Sequence, residues 1–135
     1  MKDVIFDDFQ NSVDELLLRH RSILDIMTKL QESEARINRA VAKTVTNCGC
    51  IEIHSTKQQQ QPEQNDIDNM EDLKNFLNPQ INGELCENCR GVIENEIGNN
   101  MFYLASLCNL LGLNLYDIFL KEYDKIDTLG KYSLR

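Results

Sequence analysis

Two close cysteine pairs place the tightest constraint on this chain: Cys48-Gly-Cys50 and Cys86-Glu-Asn-Cys89. Each pair stands where a helical pattern stops or begins. A fold that uses both must therefore bring the end of one helix to the start of the next. Gly49 lies inside the first pair and Gly83 shortly before the second, and turns of that kind let two thiolates converge on one ion. Four thiolates suit tetrahedral zinc, and closed four-sulfur sites are structural rather than catalytic. Residues 51–85 between the pairs can loop out at small cost, because closure entropy grows only slowly with length. Free thiols, a redox pair and an iron–sulfur cluster are the alternative uses. Cys-x-x-Cys at a helix start is also the thioredoxin arrangement, but no βαβ pattern surrounds it here. His54 is a candidate to replace one sulfur, although a lone histidine beside a linker is more often simply solvated.

The helices are read from period and punctuation. Neither Gly nor Pro occurs between Asp7 and Thr46. Phe6, Phe9, Val13, Leu16 and Leu17 fit one short amphipathic helix; Ile23, Met27, Leu30, Ile37, Val41 and Val45 fit a longer one, with a bend near His20–Ser22. Glu34 falls in the inward register of the second set. From Cys86 to Gly112, the residues Ile93, Ile97, Leu104, Cys108 and Leu111 recur at helical steps as one apolar stripe. Asn100 interrupts that stripe, with Glu96 and Asn99 beside it, and buried polar groups are costly unless partnered. Gly112 predicts a left-handed helix end and Asn114 an N-cap for a last helix that carries Leu115, Ile118, Phe119, Glu122 and Ile126 and stops at Gly130.

Between the cysteine pairs, Ile51–His54 predicts a short extended piece. Ser55–Asp66, STKQQQQPEQND, reads as a flexible low-complexity linker without apolar anchors. Met70–Leu77 predicts two turns of helix, stopped at Asn78-Pro79. The expectation is an all-α fold of four main helices with no convincing strand pair, residues 1–135 forming one domain. Cys108, on the apolar stripe, is expected to be an inert core thiol.

Composition excludes more than it assigns. A net charge of −8 argues against nucleic-acid binding, which needs a basic footprint. No apolar run approaches the ~20 residues that cross a bilayer, and the first residues lack the pattern of a signal peptide. The expected compartment is therefore the cytoplasm, where five cysteines point to thiols or metal rather than disulfides. No Gly-rich phosphate cradle and no Ser–His or Cys–His pairing is present.

The carboxylates suggest a second metal question. Glu32, Glu34 and Glu96 lie on two long helical segments, and helical bundles build magnesium sites from such acids. The stretch Glu96-Ile-Gly-Asn-Asn-Met-Phe-Tyr-Leu-Ala-Ser-Leu-Cys-Asn-Leu-Leu-Gly-Leu-Asn-Leu resembles the second core helix of MazG-type nucleoside triphosphate pyrophosphohydrolases, and Lys29-Leu-Gln-Glu-Ser-Glu-Ala-Arg-Ile-Asn-Arg-Ala-Val is similar to their Lys-x-x-Glu-Glu-x-x-Glu helix. The likeness covers most of the chain outside residues 47–85. It implies a helical bundle in which acids of the two helices hold magnesium, which binds a triphosphate and activates water at the α–β linkage. It also implies a homo-oligomer, a dimer or tetramer, because one subunit supplies only part of the bundle, and it brings a nucleotide into view as a ligand.

Residue by residue the match is partial. Glu32 and Glu96 stand at acid positions of the pattern, whereas Ser33 and Arg36 replace two glutamates and Asn99 replaces an aspartate. A cation in a ligand's place repels a divalent ion. A residual magnesium site would comprise Glu32, Glu34, Glu96 and Asn99, with Glu34 as a displaced ligand opposite Asn99 or Asn100. The expectation is a MazG-like scaffold whose catalytic site has decayed, with Arg36 pairing with Glu32 or Glu96 across the helices, and a structural or regulatory zinc-binding role. The alternatives are a divergent magnesium-dependent pyrophosphohydrolase and a redox-responsive zinc-thiolate protein.

Overall fold

The computed structural model describes residues 4–16, 21–55, 57 and 79–133, the last four by backbone alone. Among them the order is α1 (Val4–Leu16), α2 (Ile23–Lys43), a π-helical turn (Thr44–Cys48), β1 (Ile51–Ile53), β2 (Ile81–Gly83), α3 (Glu87–Leu111) and α4 (Leu115–Ser133). The chain is mostly helical, as its periodicity requires. The linker proper and the helix expected at 70–77 lie outside the described residues, as do Leu17 and His20; Arg21 and Ser22 are non-helical before α2 begins. No single described helix is long and apolar enough to cross a membrane.

Two expectations about elements are corrected. A strand pair does exist: β1 and β2 run antiparallel, with Ile51 opposite Gly83, Glu52 opposite Asn82 and Ile53 opposite Ile81. Three residues are too few to display an alternating pattern, so the pairing has no sequence signature. Gly130 does not stop α4, which continues to Ser133; glycine weakens a helix but ends it only where the backbone turns left-handed. Gly112 does turn so, at φ 68°, and the Leu113 N–H donates to the Cys108 carbonyl at 2.8 Å. Asn114 then caps α4, its Oδ1 accepting the Asp117 N–H at 2.9 Å.

Residues 1–37 and 94–135 form one compact unit and residues 38–93 another. The core of the first is Val13, Ile26 and Ala105, with Phe9, Phe102, Tyr103, Leu107, Leu110 and Leu115 packed around it. Its helices present different faces from those expected. On α2 the buried residues are Ile26 and Ser33, with Leu30 and Ile37 half-buried, so the inward face is turned by about one residue and Met27 is exposed. On α3 the buried residues of this unit are Ala105, Ser106 and Cys108, whereas Ile97, Leu104 and Leu111 of the expected stripe are exposed.

The rotation explains the polar interruption. Asn100 is half-buried and donates from Nδ2 to Ser33 Oγ at 3.0 Å, while Ser33 donates to the Leu30 carbonyl at 2.8 Å. A second polar knot ties α1 to the corner between α3 and α4. Buried Gln10 donates from Nε2 to Asn109 Oδ1 at 2.9 Å and to the Leu113 carbonyl at 2.7 Å. Its Oε1 accepts the Leu115 N–H at 2.8 Å, and its own carbonyl accepts from Asn109 Nδ2 at 3.0 Å. One side chain thus satisfies orphan backbone groups at the start of α4 and just beyond the end of α3.

Candidate metal centre

The second unit gathers the four paired cysteines. The sulfurs of Cys48, Cys50, Cys86 and Cys89 all lie within 4.8 Å of one another, close enough to hold one metal ion. All are free thiols. Sulfurs at the corners of a tetrahedron around an ion bound at ~2.3 Å are about 3.8 Å apart, and Cys48 and Cys86 stand 3.8 Å apart. The donor set and its spacing are compatible with zinc.

Local structure brings each pair to the site. The π turn at the end of α2 is closed by the Gly49 N–H donating to the Thr44 carbonyl at 2.8 Å, with Gly49 left-handed at φ 82°. The same carbonyl lies 3.9 Å from the Cys50 thiol, which donates to it. Buried Thr44 is anchored in turn by its hydroxyl, which donates to the Val41 carbonyl at 2.6 Å. Thr44 organises the first pair, yet nothing in its sequence position announces this.

Pairing of β1 with β2 aligns the second pair with the first. Register puts Ile51, next to Cys50, opposite Gly83, three residues before Cys86. At Gly83 φ is 96°, and a Cβ there would strike the Cys50 carbonyl oxygen, so only glycine permits this approach. Cys86 then acts as the N-cap of α3: its Sγ accepts the Cys89 N–H at 3.4 Å, and its carbonyl accepts the Arg90 N–H at 2.9 Å. Cys89, one turn into the helix, is buried while Cys48 is exposed.

This arrangement splits the thiol acidities. The Cys89 backbone N–H, followed by the Cys89 thiol, stabilises the Cys86 thiolate and draws its pKa down to about 7. Cys89 is pushed up to about 12, first because its proton is held against Cys86 and then by burial. At Cys48 the Cys50 N–H favours the thiolate, but shared protons with the Cys86 and Cys50 sulfurs outweigh it and the pKa rises. Cys108 lies outside the cluster, buried, with its pKa raised by desolvation, as a core thiol should be. His54 faces Glu52 at 3.3 Å instead of joining the sulfurs.

The four residues of the suspected magnesium site are in the first unit, and among the described residues their acidic groups do not converge on one point. Glu32 and Asn99 line a polar cavity of about 210 Å³ with Lys29, Ser33, Arg36 and Tyr103. Glu34 lies in another, of about 400 Å³, with Asn100 and the apolar Met27, Leu30, Leu104 and Leu107. Glu96 lines neither of them; it is half-buried, and its Oε2 is sealed from solvent without a hydrogen-bond donor. Arg36 pairs along α2 with Glu32, at 3.0 Å from Nη2 and 3.2 Å from Nε, rather than across the helices. Lys29 approaches the same carboxylate at 3.5 Å. The Arg36 hydrogen bond and then the Lys29 charge hold Glu32 below the usual carboxylate range. Among the described residues the four cysteines are the one group of three or more His, Cys, Asp or Glu side chains whose ligand atoms converge.

Compared with protein-family models, with curated proteins and with solved structures, the chain matches none.

Proposed function

We propose that this chain is a zinc-stapled, MazG-like helical scaffold with a binding or regulatory role, in which a former magnesium site no longer performs hydrolysis. The zinc half rests on one observation above all, the four sulfurs within 4.8 Å of one another at the junction of a π turn and a helix N-terminus. Cys48, Cys50, Cys86 and Cys89 would hold the ion as thiolates. A closed four-sulfur shell leaves no open position for substrate, so the ion supplies structure.

The second half rests on the Glu32–Arg36 pair. Metal-assisted phosphate chemistry needs uncompensated carboxylate charge at the ion. Here the one glutamate facing the polar cavity is already bridged by a guanidinium and approached by an ammonium. The same resemblance supports a homo-oligomer and a nucleotide as the ligand class, now bound without turnover.

One observation favours the alternative, a divergent magnesium-dependent pyrophosphohydrolase: the buried Glu96 oxygen lacks a donor, and a cation would satisfy it. Metal analysis of the purified chain, followed by calorimetry and phosphate release with magnesium and nucleoside triphosphates, separates the two. One zinc per chain without magnesium-dependent turnover is the expected result. Pyrophosphate release that is abolished by Glu96→Gln would overturn the scaffold reading.

A further inference from the structure

The four clustered sulfurs are not equally open to solvent. Cys48, the last residue of the π turn, is exposed, Cys50 and Cys86 are half-buried and Cys89 is buried. The exposed sulfur has a definite neighbour, Cys86 Sγ, 3.8 Å away although 38 residues along the chain. Cys50 is turned instead toward the Thr44 carbonyl, 3.9 Å from its sulfur. A disulfide is ~2.05 Å long, so Cys48 and Cys86, at 3.8 Å, have roughly 1.8 Å to close. The turn has room for that movement, because nothing lies within 4 Å of where a side chain on Gly49 would begin.

Cysteines that hold a metal do so as thiolates, and the thiolate is the reactive form of the sulfur. Susceptibility to oxidation follows thiolate character and exposure. Metal binding gives the first to all four, so exposure selects Cys48. Proximity then selects Cys86 to complete the bond. We propose that Cys48 and Cys86 are a reversible oxidation site for hydroperoxides, whose disulfide replaces the metal ion as the link between the π turn and the start of α3. The inference rests on the four-thiolate reading above and adds an oxidised state to it.

The chemistry balances with hydrogen peroxide as the oxidant. The Cys48 thiolate attacks one peroxide oxygen; an S–O bond forms, the O–O bond breaks, and the departing hydroxide takes a proton to become water. Cys48 is then a sulfenic acid. The Cys86 thiolate attacks that sulfur; the S–S bond forms, the S–O bond breaks, and a second hydroxide leaves as water after protonation. Together the sulfurs lose two electrons, and the peroxide gains them. Only Cys50 and Cys89 then remain as thiolates in the cluster, too few for a closed four-sulfur shell. A dithiol reverses the change by exchange and is itself oxidised to a cyclic disulfide.

Which sulfurs join decides what oxidation does to the fold. A link within either pair would leave the ends of the 51–85 loop held by β1 and β2 alone, three residues each. A link across the pairs closes the same loop covalently. The metal is lost, but the junction stays.

The test uses the zinc-loaded full chain. Hydrogen peroxide should release one zinc per chain, read with a metallochromic indicator. A non-reducing digest should then give a linked peptide joining Cys48 to Cys86, and dithiothreitol should restore zinc binding. Hydrogen exchange should show β1 and β2 still protected in the oxidised, metal-free chain. Cys48→Ser should slow zinc release by roughly 10-fold or more, while Cys108→Ala, outside the cluster, should leave the rate unchanged. Should Cys48→Ser fail to hold zinc, the linked peptide from the unaltered chain decides the pair. Zinc kept through peroxide treatment, a Cys86–Cys89 link, or sulfinic acids without any link overturns this inference and leaves the zinc reading standing. Loss of β1 and β2 protection in the linked chain overturns the disulfide's role as a staple. A chain that binds no zinc at all overturns both readings.

Discussion

Cys86 and Cys89 are three residues apart, yet their acidities diverge because one caps the helix and the other sits inside it. Cys86 receives the N–H that a helix start leaves unpaired, whereas Cys89 is buried and keeps its proton against Cys86. Thiolate, not thiol, is the nucleophile. Iodoacetamide at pH 7 should therefore modify Cys86 ahead of Cys89 in the metal-free chain, with the Cys86 rate rising through a midpoint near its pKa of about 7. Peptide mapping at short labelling times reads the order, and Cys89 modified first would contradict the capping geometry. That the two cysteine pairs converge was legible from spacing alone. The roles of Ser33, Thr44 and Gln10 were not, because the role of a polar side chain depends on its partner, which for Ser33 and Gln10 lies far along the chain. Ser33 looked like a lost glutamate, yet it is the buried acceptor for Asn100.

Element boundaries followed the local rules of capping and glycine handedness, but the faces the helices bury did not follow the strongest stripe. Periodicity establishes that α2 and α3 each have an apolar side; which residues it buries depends on what docks there. Part of the apolar surface of α3, including Met101 and Leu104, is still outside the chain's own core. The corner between α3 and α4 depends instead on Gln10, which satisfies Leu113, Leu115 and Asn109 together. Removing one partner of buried hydrogen bonds costs about 1–3 kcal/mol for each group left unpaired. Gln10→Ala should thus destabilise the chain by about 2–3 kcal/mol, seen as a lower urea midpoint at unchanged slope. Asn11→Ala, at an exposed neighbour, is the control and should change stability by less than about 0.5 kcal/mol. Equal midpoints for the two variants would show that the knot is decorative.

At the scale of the molecule, the four-cysteine cluster has little apolar core around it among the described residues. The described residues of 38–93 that are buried are Thr44 and Cys89, and a two-strand pair of three residues each is marginal in water. Where a site does not pre-exist in the unfolded chain, metal binding energy is folding energy. Chelation should therefore release amide protection at β1, β2 and the π turn, while the start of α3, capped by Cys86 within its own first turn, and Leu115, whose amide is held by Gln10, keep their protection. Hydrogen exchange with and without chelator measures both regions in one experiment. Uniform loss across the chain would mean that the ion supports the whole fold, and no loss would mean that it supports none of it. What the sequence determined by itself was local: helical class from periodicity, helix ends from Gly112 and Asn114, and four candidate ligands from two tight cysteine spacings. These rest on interactions within a turn or two of chain. Tertiary structure alone decided the buried faces, the β1–β2 pairing that brings Gly83 against Cys50, and the long-range partners of Gln10 and Ser33. Each depends on which distant segment fills the space beside a residue, and no local pattern encodes that.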